Sequence, residues 1–255
     1  MNEHRSSVRR VFAAIDSSPF GSAALEAAAL LATELHAELR GLFIEDINLF
    51  RVAGMPFAKE VDSLSGTLRR LDVEELERAL RIKAEGVRQA IADAAQRTSL
   101  NWSFRIFRGN VNQMTLAAAL DADLLLIGRE RSMPPLSPPV GQGPIMMVDD
   151  GTDSGKHVFD AAQRLARYSI DSIVVLATDG TEDDLDRYQP RRSATYVQRS
   201  AADELAVIEA ARRWQPRLLL LDRDSLLVTE TTIDSLVSRL PCPLVLVSGR
   251  ERVPR

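Results

Sequence analysis

The chain repeats itself. An offset of 133 residues carries Asp16 onto Asp149, and the surroundings of the two residues follow. VFAAIDSSPFGSAALEAAALLATELHAELRGLFIED (11–46) and IMMVDDGTDSGKHVFDAAQRLARYSIDSIVVLATD (145–179) share one order of parts. Each opens on a short apolar run ending in Asp, passes through a small polar turn, and continues as a helical stripe and a second apolar run. The stripe falls at Ala24, Leu25, Ala28, Leu31, Ala32 and Leu35 in the first copy, and at Val158, Ala161, Ala162, Leu165 and Ala166 in the second. That spacing is the 3.6-residue period of a helix with one buried face. Apolar runs without alternation are strands covered on both sides, and two of them joined by a helix make a parallel, right-handed βαβ unit.

The later parts recur as well. Val73, Leu76, Leu80, Val87 and Ile91 mark one side of a helix over 73–95, with Glu74–Arg78 and Glu77–Arg81 spaced as outward i,i+4 pairs. A strand WSFRIFRG, a helix from Val111 to Leu120 and a strand DLLLIG follow. TYVQRS, a helix over 202–213 and RLLLL keep this order in the second copy, where the charged stretch TEDDLDRYQPRR replaces the long helix. TTIDSLVSRL and PCPLVLVSG then add a helix and a last strand. The chain accordingly divides into a first domain, 1–133, lacking that last helix and strand; a stiff Pro-rich linker, 134–143; and a second domain, 144–255. The fold class is α/β, with two tandem open parallel sheets of Rossmann-like type.

Composition removes several functions. Of 255 residues, 45% are hydrophobic and 27% charged, which is enough to build a core without staples. The net charge of −4 and the lack of a basic stripe interleaved with aromatics argue against nucleic acid. No apolar run approaches the ~18 residues of a membrane span. The polar start MNEHRSSVRR has no signal-peptide core, so the expected location is cytoplasmic. Cys242 is the single cysteine; it excludes an internal disulfide and reads as an inert core thiol. His4, His36 and His157 stand apart with no HExxH or CxxC, so no metal site is expected. Ser17, Ser18 and Ser22 have no G-x-S-x-G elbow and read as a helix start.

Three stretches resemble the universal stress proteins: a strand ending in I/V-D followed by S/G and an Ala-rich helix, the run A-D-L-L-L-I-G-R, and the ending P-C-P-L-V-L-V. The resemblance implies a five-stranded parallel sheet per domain, domains paired about a pseudo-twofold axis, and a role in stress response. Family members that bind ATP carry G-x-x-G and, after a spacer, G-S/T. In this sequence Gly128 fits the first glycine but Arg131 stands at the second. Gly141 is followed by Gln142 and, soon after, by Pro144 and a strand, so no helix start faces a phosphate. In the second half Asp222 and Glu230 occupy glycine positions, with Thr231 at the hydroxyl; two carboxylates there repel a triphosphate.

The expectation is therefore a stress-response protein that binds a partner or small ligand, uses no cofactor, and is not an enzyme. The alternative is AMP or ATP held by Asp16, Gly128, Arg129 and Arg131, with Asp149 and Thr231 as second-half equivalents; a slow ATPase is the weaker rival. Each residue also has a plain structural reading. Asp16 and Asp149 suit helix caps, Arg129 and Arg131 a solvated turn, and Thr231 with Asp234 a capping box. The stretch 47–61, INLFRVAGMPFAKEV, reads as core packing, with a cover for the sheet edge or a pocket lining as the alternative. The last strand, Pro243–Ser248, is apolar and uncharged, and as an edge it must be covered, by the other half or by a second chain. The resemblance favours a homodimer through this strand; an unidentified protein partner is also open.

Overall fold

The computed structural model describes residues 10–15, 19–61, 66–128, 143–150, 155–166, 172–177, 195–199 and 203–248. The first repeat supplies β1 (Arg10–Ile15), α1 (Pro19–Glu34), β2 (Glu38–Asp46), α2 (Ile47–Ala53), β3 (Lys59–Val61), β4 (Leu68–Arg70), α3 (Val73–Thr98), β5 (Trp102–Gly109), α4 (Val111–Asp121) and β6 (Leu124–Gly128). The second supplies β7 (Ile145–Asp149), α5 (Gly155–Ala166), β8 (Ile173–Ala177), β9 (Thr195–Arg199), α6 (Glu204–Trp214), β10 (Leu218–Asp222), α7 (Glu230–Arg239) and β11 (Leu244–Val247).

Side-chain chemistry sets the helix starts. Asp72 accepts from the backbone N–H of Glu74 (2.8 Å) and begins α3, with Glu74 and Glu75 in the positive first turn. Asn110 begins α4 and Asp203 begins α6 in the same way. Ser99 ends α3 in the left-handed region, at φ 54°.

Both repeats enter one nine-stranded sheet, in the order β5-β2-β1-β6-β11-β10-β7-β8-β9. Every pair is parallel except one: β6 and β11 run antiparallel, with Val245 opposite Leu126 and Leu246 opposite Leu125. α1, α3 and α5 cover one face, and α4, α6 and α7 the other. The stripe expected on α1 is the buried one, with Ala24, Ala28 and Ala32 fully enclosed. β3 and β4 form a separate antiparallel hairpin.

Two expectations change here. The last strand is not an open edge, because β11 pairs with β10 on one side and with β6 on the other. Pairing inside one chain needs no matching fifth strand in the first repeat: the unpaired edge of β6 is itself the complement. A homodimer through Pro243–Ser248 therefore has no free edge to use. The stretch 47–61 is also less enclosed than core packing requires. Ala53 is buried and Phe50 packs on the core under Arg108 (3.9 Å), but Leu49, Val52, Met55 and Phe57 are exposed.

Candidate functional site

Parallel sheets present ligands at the carboxyl ends of strands, where the connections diverge to opposite sides. This sheet has two such points, β1 beside β6 and β7 beside β10. At the first, buried Gly128 lies level with Ile15. Asp16, Arg129 and Arg131 fall outside the described residues. The repeat counterpart of Arg129 is Arg223, just past the end of β10. It donates to the carbonyl of Ala119 on α4 (3.0 Å), tying the second repeat to the first across the seam.

The second point carries buried carboxylates. Leu218, Leu219 and Leu220 of β10 lie level with Ile145, Met146 and Met147 of β7, and two residues further on the strands end in Asp222 and Asp149. Asp149 is fully buried and Asp222 is 3% exposed. One carboxyl oxygen of Asp222 accepts from the N–H of Asp224 (2.6 Å). Its carbonyl accepts from Ser225 N–H (3.2 Å), and the Ser225 hydroxyl oxygen from Leu227 N–H (3.3 Å). The Asp149 carboxyl lies against Gly155, the first residue of α5, where any β-carbon would collide with it.

Register corrects the pairing of Asp16 with Asp149. Val11 is level with Leu124 as Ile145 is with Leu218, and the backbone bonds Asp123 N–H to Arg10 C=O and Arg217 N–H to Pro144 C=O repeat at the strand starts. Counted from there, Asp149 answers to Ile15, and Asp150 answers to Asp16. A shift of one residue reverses the face on which a strand side chain sits. Asp149 thus belongs to the α5 side of the sheet.

Thr231 is also corrected. Thr229, not Thr231, begins α7: its hydroxyl oxygen accepts from Thr232 N–H (3.2 Å) and lies 3.2 Å from the Thr231 hydroxyl. Thr231 is exposed within the first turn, and the turn from Asp222 to Thr229 is closed by its own hydrogen bonds. Among the described residues no group of three or more His, Cys, Asp or Glu is placed to hold a metal ion, and no helix is long and apolar enough to cross a membrane. Cys242 is buried in the core.

No family model and no curated protein matches the sequence. Solved structures do. A universal stress protein from Archaeoglobus fulgidus superposes with a TM-score of 0.57 at 11% identity, over 96% of this chain and 100% of that one. A functionally unknown protein from Pseudomonas aeruginosa gives a TM-score of 0.48 at 11% identity, over 95% of this chain and 93% of its own. The first match extends over both repeats: this chain has the fold of a universal stress protein.

Proposed function

We propose that this chain is a stress-response protein of the universal stress protein type, acting by binding a partner or small ligand without ATP and without catalysis. The observation that carries the reading is the pair of buried carboxylates, Asp149 and Asp222, at the strand ends of the second repeat. A nucleotide's phosphates need backbone N–H groups there. In this chain the N–H groups of Asp224, Ser225 and Leu227 are already bonded within the turn. The first repeat supports a second reading, a nucleotide near Asp16 and Arg129, since its described strand ends, Ile15 and Gly128, carry no charge. A native mass spectrum of the purified chain separates the two. The first reading expects no nucleotide mass on the protein; a retained AMP or ATP adduct favours the second. The same spectrum counts the subunits.

A further inference from the structure

A cavity of about 190 Å³ opens on the face of the first repeat's sheet, beneath α4 and away from the strand ends. Phe12 of β1, Leu42 of β2 and Met114 of α4 give it an apolar body. Arg40, Ser103 and Arg105 form a polar wall on the adjoining strands β2 and β5. The register that sets Arg40 level with Ser103 and Leu42 level with Arg105 puts these four side chains on one face.

The fold does not require charge at these positions. In the second repeat, Val174 of β8 stands at the level of Arg40 and is fully buried. Tyr196 and Gln198 stand at the levels of Ser103 and Arg105. Counted from their capping residues, α4 and α6 are equally long, and Trp214, packed on the core, stands where α4 has Asp121. Where the first repeat has Arg40 and Asp121, the second has the apolar Val174 and Trp214, and Gln198 answers to Arg105.

The polar wall has donors to spare. Arg40 donates to Glu38 (2.7 Å) and lies over the Phe12 ring (5.5 Å), while its shielded Nε has no hydrogen-bond partner among the described residues. That Nε is shielded from the cavity too, so a ligand meets Arg105 and the outer nitrogens of Arg40. Arg105 makes no ion pair with any described residue, although Arg40 is engaged by Glu38 and feels the charge of Asp121. A guanidinium recognises a carboxylate through two parallel hydrogen bonds. Asp121 on the lining and Glu38 beside it oppose any ligand bringing more than one negative charge. Size narrows the class further, because a cavity of about 150 Å³ accepts benzene.

We propose that this cavity binds a small apolar monocarboxylate of single-ring size, its ring against Phe12, Leu42 and Met114 and its carboxylate on Arg105 and Arg40. The site is independent of the strand ends, so it stands or falls apart from the ATP question. Fluorine NMR of para-fluorobenzoate titrated with the full chain tests it. Saturable binding at or below millimolar concentration is expected, and Arg105→Met should weaken it about tenfold or more, since a charge-assisted hydrogen bond is lost. Ala118→Phe, which fills the cavity from α4, should abolish it. Arg105 is exposed on the edge strand β5, so its variant keeps the fold and carries the test if Ala118→Phe does not fold. Neutral fluorobenzene should bind more weakly, and neither inorganic phosphate nor Mg-ATP should displace the probe. Absence of saturable binding, binding indifferent to Arg105→Met, or displacement by Mg-ATP each overturns the proposal. Stabilisation by ATP with the probe undisturbed would instead count against the ATP-independent reading alone.

Discussion

The two repeats place their polar residues in opposite locations. Under α4 the first repeat lines a cavity with Arg40 and Asp121, where the second has buried Val174 and core-packed Trp214. At the strand ends the order reverses: Ile15 and Gly128 in the first repeat, buried Asp149 and Asp222 in the second. A sheet of this kind asks only that its strands be covered on both faces and that buried polar groups find partners. Within those limits the two copies differ in which surface carries the polar residues. In the second copy the strand-end carboxylates are held by the turn after β10 and lie against the start of α5.

What keeps the copies together is the antiparallel seam of β6 and β11, and breaking it should have the largest effect. Val245 is fully buried, in a strand paired on both sides. Val245→Lys places an uncompensated charge there and should cost more than about 4 kcal/mol, a large part of a marginal total. The expected result is loss of cooperative thermal unfolding and of the native far-UV circular dichroism. A variant that kept its circular dichroism while only changing its oligomeric state would move β11 from the seam to an interface between chains.

Gly155→Ala sharpens the comparison at the strand ends of the second repeat. The new methyl group collides with the Asp149 carboxyl, and overpacking of this kind costs about 1–3 kcal/mol. Chemical denaturation should show a lowered midpoint. No change would mean that the Asp149 carboxyl and the start of α5 are not locked together.

The smallest effect belongs to Glu38 beside the cavity. The hydrogen bond from Arg40 holds its carboxyl below the usual range of 4.5, assisted by the charges of Arg40 and Arg10 and by Ser103. A depressed carboxylate stabilises the fold above its unfolded pKa, and the contribution is lost as pH falls through the folded value. Glu38→Gln should therefore lower stability at neutral pH by less than about 1 kcal/mol, given its partial exposure, and the difference should vanish in acid. A difference that grew below pH 4.5 would contradict the sign.

Most strands and helices could be read from the chain because their signals are local. WSFRIFRG is β5 in full, and LLLIG and LLLLD are β6 and β10. The seam was not legible, since an apolar strand such as PLVLV announces that its edge needs a neighbour without saying which. Asp149 shows a finer limit: IDSS and VDDG align naturally on a β-branched residue followed by Asp, and only the pairing with neighbouring strands shifts the match to Asp150. In TETT several threonines compete to cap α7, and Thr229 prevails where the sequence pattern favoured Thr231. The cavity wall was hidden for another reason. Arg40 is far in sequence from Ser103 and Arg105 and meets them only through the register of β2 and β5.

The central claim is that neither pair of strand ends holds a nucleoside triphosphate, and thermal melting of the full chain across a titration of Mg-ATP tests it most directly. Saturation at about 100 times the dissociation constant would add about 2.7 kcal/mol, or roughly 5–10 °C for a chain of this size. The account predicts an unchanged melting temperature at millimolar Mg-ATP. A saturable rise that disappears in Asp16→Ala would contradict it and place the nucleotide in the first repeat.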